Sequence, residues 1–113
     1  MTNKITVTSE EIASFHQMWD NFPGIARLIG RDHIIIAANQ NAIARGYKPG
    51  VCCATLPSAT NHRGCLAMQT LAEGKGMADN PDGTSIRGWL PVSGRDDVYV
   101  HFSLTVPKAG IDN

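Results

Sequence analysis

The chain has 113 residues, with ten Lys plus Arg balanced by ten Asp plus Glu and a formal net charge of zero. That length holds one domain with a single core of ordinary size and excludes a second. The charges are scattered rather than blocked, which excludes the electrostatic footprint of a nucleic-acid binder or of a protein held on an anionic membrane; a small neutral ligand or another protein is the expected partner. No segment approaches the roughly 18 apolar residues of a membrane span, and the N-terminus lacks the apolar run of a signal peptide, so a cytoplasmic protein is expected. Cys52, Cys53 and Cys65 are an odd number of cysteines. In a reducing compartment they argue for thiols that are buried, ligating or reactive rather than for a disulfide framework.

Thr8 and Glu11 form a capping box, and Ile12, Phe15, Met18 or Trp19, and Phe22 recur at near-helical spacing until Pro23-Gly24. An amphipathic helix over Ser9 to Asn21 is predicted, packed on the outer face of a sheet, on a second subunit, or on both. Ile25 to Ile29 and His33 to Ala38 read as a hairpin around Gly30-Arg31-Asp32, and the run Ile34-Ile35-Ile36, apolar on both faces, predicts a central strand. Asn39 is placed to cap a short helix through Arg45, ended by Gly46. Val51 to Leu56, stopped by Pro57, is expected to make at best one or two helical turns held by burial. A firmer helix is predicted from Asn61 to Glu73, closed by Gly74, with Cys65, Leu66, Met68 and Leu71 or Ala72 inward.

Gly76-Met77-Ala78 reads as a brief strand and Asn80-Pro81-Asp82-Gly83 as a turn. Two period-2 runs follow, Thr84 to Val92 and Val98 to Val106, forming a long hairpin around Ser93 to Asp97. Pairing Val92 with Val98 sets Leu90 opposite Val100, Gly88 opposite Phe102 and Ile86 opposite Leu104. The other side then carries Arg87, Trp89, Tyr99, His101 and Ser103, with Trp89 and His101 as direct cross-strand neighbours.

This order of elements resembles a PAS domain over roughly Phe22 to Pro107. The family-like pieces are Phe22-Pro23-Gly24-Ile25, the passage Ile36-Ala37-Ala38-Asn39-Gln40-Asn41-Ala42, and Thr70-Leu71-Ala72-Glu73-Gly74-Lys75. The cysteine-bearing middle ending in Gly64-Cys65-Leu66 looks like a subgroup of bacterial PAS domains. The resemblance implies an α+β fold: a PAS-like five-stranded antiparallel sheet with flanking short helices around an internal pocket, preceded here by the N-terminal amphipathic helix. It divides the chain into an N-terminal helical cap (1–21), a PAS-like sensor domain (22–107) and a tail (108–113). It also implies a small stand-alone or excised sensor, because most PAS domains are joined to an output module for which this length leaves no room. The weak strand near Met77 departs from the pattern at the sheet edge.

The chemistry-bearing residues concentrate between Gly50 and Leu66. His62 and Cys65, three apart at a helix start, share a helical face that Cys53 can approach, a candidate set for a metal, an iron–sulfur centre or haem. A zinc site would need Cys52 or His101 as the fourth ligand. The alternative is cysteines buried as small hydrophobes beside a hydrogen-bonded histidine. Redox pairing fits Cys53 with Cys65 better than the adjacent Cys52-Cys53. A nucleophilic Cys65 would need an oxyanion site and an orienting group, neither of which is marked, so no enzyme is expected. Trp89 and His101 are the second candidate group, either a wall of a ligand pocket or a Trp packed under the N-terminal helix with His101 exposed. His16 and His33 read as surface residues. The resulting expectation is a signal-sensing domain that binds a small ligand or cofactor through Cys53, His62, Cys65, Trp89 and His101, forms a homodimer through its first helix, and signals to an output protein. The alternative function is a metal- or redox-responsive thiol module using Cys53, His62 and Cys65, and the cofactor, whether haem, metal or metabolite, is left open.

Overall fold

A computed structural model describes residues 5–52, 66–80 and 83–105. Helix α1 (Ser9–Trp19) starts at the predicted capping box: the Thr8 hydroxyl accepts from the Glu11 N–H at 3.1 Å, and the Glu11 carboxylate accepts from the Thr8 N–H at 2.9 Å. Two orphan donors are thereby satisfied, and the helix ends at Trp19, short of the expected Asn21. Its stripe of Ile12, Phe15 and Trp19 lies on the sheet. Phe15 is buried there, which stabilises by about 1.5–3 kcal/mol for a side chain of that size. Trp19 stacks on Phe102 with ring centroids 5.8 Å apart, and Phe22 meets both rings edge-on.

Strand β1 (Ile25–Gly30) turns back through Gly30 to His33, where the His33 N–H reaches the Gly30 carbonyl at 2.8 Å, into β2 (Ile35–Ala38). Helix α2 (Gln40–Ala44) follows, capped by Asn39 as predicted. Helix α3 (Ala67–Glu73) leads into β3 (Met77–Asp79), β4 (Ser85–Pro91) and β5 (Val98–Thr105). Gly46 and Gly74 end α2 and α3 at φ of 94° and 68°, the left-handed conformation that side chains resist. The five strands form one antiparallel sheet in the order β2-β1-β5-β4-β3. The hairpin register is the one read from the period-2 pattern: Trp89 pairs with His101, Gly88 with Phe102, Leu90 with Val100.

Each sheet face carries its own core. The outer core, under α1, holds Phe15, Ala26, Leu28, Ala37, Val98 and Val100; the inner core, toward α2 and α3, includes Ile29, Ile35, Ala42, Leu71, Trp89 and Tyr99. A bulge between β1 and β2 shifts the pairing from Leu28↔Ala37 to Ile29↔Ile35, so the extra residue Ile36 joins Ala37 on the outer face.

Three expectations are corrected. Strand β2 is at the edge of the ladder, not central. Among the described residues its two apolar faces are both covered without a second strand partner, since Ile35 belongs to the inner core and Ile36 to the outer one. The chain from Val51 shields its open side: Cys52 bridges Ile34, and the Ile35 N–H donates to the Val51 carbonyl at 2.9 Å. Cys52 therefore pairs as a strand residue would, and Val51 before it lies in a bend, so neither starts a helical turn; residues 53–56 lie outside the described ones. On α3 the inward positions are Ala67, Thr70 and Leu71, while Met68 keeps 44% of its surface exposed. The described helix begins at Ala67, and its inward side is the one carrying Thr70 one turn from Ala67; residues 61–65, with Cys65, lie outside the description.

Candidate functional site

The inner face carries a polar row within an apolar core. Arg27 on β1 is the register partner of His101 on β5, and His101 is the partner of Trp89 on β4. Cross-strand partners share a face with Cβ atoms about 4.5–5.5 Å apart, so the three side chains stand side by side across three strands. All three are buried, at 4%, 8% and 0% exposure. The His101 and Trp89 rings stack with centroids 4.7 Å apart and planes 9° from parallel. Trp89 is thus not under α1 and His101 is not exposed, and the face assignment read from the sequence holds.

Backbone carbonyls only accept, so the 2.8 Å contact between His101 Nδ1 and the Gly88 carbonyl puts a proton on Nδ1 and fixes the ring's orientation. Arg27 lays its guanidinium over the Tyr47 ring, 4.5 Å from its centroid. Stacking engages the guanidinium face, whereas hydrogen bonding uses its edge. From the helical side α3 supplies Thr70, which has no exposed surface. Among the described residues, Thr70 Oγ1 and Trp89 Nε1 are buried without a hydrogen-bond partner. Leaving each such group unsatisfied costs about 1–3 kcal/mol. Beside this row Arg87 holds Asp79 through two hydrogen bonds, at 2.8 Å and 2.6 Å, and caps the Trp89 ring.

Of the five residues predicted from the sequence, the structure brings Trp89 and His101 together. Cys53, His62 and Cys65 lie outside the described residues. Cys52 is half-buried at its bridge to Ile34, and no group of three or more metal-ligating side chains occurs among the described residues. His16 pairs with Asp20 one turn on, at 2.8 Å, and His33 takes a left-handed φ of 67° in the β1–β2 turn. The sequence reading missed Arg27, Tyr47 and Thr70. Arg27 did leave a signal, as the lone charge in the apolar run Ile25 to Ile29.

Asn39 joins this face to α1 and is fully buried. Its Oδ1 accepts from the N–H groups of Ala42 and Ala26, at 3.0 and 3.2 Å, and its Nδ2 donates to the carbonyls of Gly24 and Trp19, at 3.1 and 3.2 Å. One side chain therefore starts α2, steers the entry of β1 and holds the last turn of α1.

The architecture is PAS-like. In structure the chain is similar to the sensory box sensor histidine kinase from Vibrio cholerae, with a TM-score of 0.62 and 13% sequence identity over 93% of this chain and 100% of that one. No protein-family model matches the sequence, and no curated protein matches it. Among the described residues no helix is long and apolar enough to cross a membrane.

Proposed function

We propose that this chain is a signal-sensing PAS-like domain, not an enzyme, that binds a small ligand or cofactor between the inner sheet face and the helices and passes its occupancy to a protein partner. The observation that carries this reading is the buried Trp89–His101 stack with unpartnered Trp89 Nε1 beside it. A purely structural core gains nothing from an unsatisfied indole N–H, whereas a ligand acceptor repays it. In this reading Trp89 and His101 form the sheet wall, and Cys53, His62 and Cys65 form the helical wall. The sensor spans residues 22–107, with the first helix as its cap. The route outward starts at Asn39, which hydrogen-bonds to the Trp19 carbonyl at the end of α1. A ligand that favours one position of the helical side shifts α1 through that contact, and pairing of two copies along α1 turns the shift into a signal.

Native mass spectrometry and visible absorbance of freshly purified protein test the reading together. A retained small molecule, coloured if it is haem, flavin or an iron–sulfur centre, should be lost from His101→Ala. Where the ligand is added back, the variant should bind it more weakly by on the order of 1–3 kcal/mol, the cost of stranding a buried partner. Retention undiminished in both His101→Ala and Trp89→Ala would place the ligand elsewhere and end this assignment.

A further inference from the structure

We propose that the outer face carries a second binding site, separate from the pocket on the inner face: the groove beside α1 takes a small organic monocation, a primary ammonium on a short apolar body. Leu28, Val98 and Val100 form the floor of this groove on the sheet, and Phe15 and Trp19 close it from the helix. Its volume is about 250 Å³. At roughly 30 Å³ for each water-sized group, about eight non-hydrogen atoms fit, which admits a single ring or a short alkyl chain and no larger body.

The helical rim gives the ligand a direction. Glu10, Ser14 and Met18 recur four residues apart along one edge of α1 and are all exposed. From residue 10 to residue 18 the rim changes from carboxylate through hydroxyl to thioether, over about 12 Å at the α-helical rise. A molecule with a charged head and an apolar tail fits this stripe one way round, with its ammonium at Glu10 and its body toward Met18 and Trp19.

Charge selects the cation. Among the described residues no Lys, Arg or His lines the groove. Glu11 and Asp97 share Arg95, so with Glu10 three carboxylates stand near one guanidinium, and Glu10 is the one that Arg95 does not engage. The N-terminus of α1 adds only about half a positive charge, and the capping box already engages it. The mouth of the groove is therefore net negative in a chain whose net charge is zero, and it disfavours an anion of the same shape.

Hexylammonium, 1-hexanol and hexanoate share one body and differ in charge. The readout is the indole N–H resonance of Trp19, identified as the one lost in Trp19→Phe. Hexylammonium should shift this resonance saturably, 1-hexanol about twofold to fivefold more weakly, the worth of one partly exposed ion pair, and hexanoate more weakly still. High salt should narrow that spread. In Glu10→Gln the advantage of hexylammonium over 1-hexanol should vanish, and in Glu10→Lys hexanoate should become the tightest of the three. Both substitutions fall at an exposed position and leave the Thr8–Glu11 capping box intact. Binding of 1-hexanol as tight as that of hexylammonium overturns the cation. Saturable shifts of Trp89 with Trp19 unmoved would place the amine on the inner face and overturn this site. A Trp19 resonance that ignores all three probes, or that moves with protein concentration while no probe competes, overturns it as well; in the second case another copy of the chain fills the groove. The inner pocket is judged separately, by retention of its own ligand in His101→Ala.

Discussion

Asn39 and Gly88 show how much of the fold rests on single residues. Asn39→Ala removes a helix cap and strands two buried N–H groups and two carbonyls, so unfolding in urea should reveal a loss of about 2–4 kcal/mol, beyond the ~1 kcal/mol of a cap alone. Asn39→Asp keeps the acceptors but points carboxylate oxygens at the Gly24 and Trp19 carbonyls, and should cost at least as much. A loss within the range of an ordinary cap for either variant would mean that the four bonds are not jointly formed. Gly88 lies beneath the ring of Phe102, its register partner, and a Cβ there would enter the ring's volume. Gly88→Ala should therefore destabilise by about 1–3 kcal/mol and displace Phe102 from its stack on Trp19, visible as a change in near-ultraviolet circular dichroism. An unaltered aromatic spectrum at full stability would refute that packing argument.

Between elements, Arg95 is a clasp. From the β4–β5 loop it donates to Asp97 at 2.9 Å, to the Glu11 carboxylate at 3.0 Å, and to the Thr6 carbonyl at 2.7 Å, tying the start of α1 to the hairpin. The Thr8 backbone N–H, and then Arg95, hold the Glu11 carboxyl below the usual carboxylate range against partial desolvation. Arg95 does the same for Asp97, chiefly through its hydrogen bond. Both pKa values are lower folded than unfolded, so the unfolded chain binds more protons in acid. The stabilisation is complete above the ordinary carboxylate range and is lost as pH falls through the lowered folded values. Arg95→Ala should lower stability near neutrality and flatten this acid limb, as read from urea midpoints along a pH series. The contrast should shrink in high salt, because the pairs are partly exposed. Curves that stay parallel for parent and variant would show that Arg95 is not the source.

At the scale of the whole molecule, α1 spends most of its apolar stripe on its own sheet. What it leaves is Met18, 71% exposed, at the rim of a groove of about 250 Å³ lined also by Phe15, Trp19, Leu28, Val98 and Val100. Removing residues 1–21 would uncover the outer core and confuse loss of pairing with loss of folding, so a point variant is the better test of the dimer. Sedimentation should give a dimer for the parent and a monomer with unchanged helix content for Met18→Asp. A parent protein that is monomeric at every concentration would remove the proposed pairing along α1.

Sequence alone determined the features that depend on neighbours a few residues away or on a short loop. The Thr8–Glu11 capping box, the Asn39 cap and the glycine helix ends are local hydrogen-bonding and φ preferences. The Trp89–His101 register follows from a period of two closed by the Ser93 to Asp97 loop, since a one-residue slip would turn every side chain to the wrong face. Only the tertiary structure decided that β1 lies beside β5, which brings Arg27 to His101 from opposite ends of the chain. It also decided that β2 is an edge strand backed by Val51 and Cys52, and that α3 turns Thr70 rather than Met68 inward. These are choices among long-range pairings, made by the total surface that two cores bury, and a buried charge or an apolar edge strand is permitted only by what the distant chain lays over it.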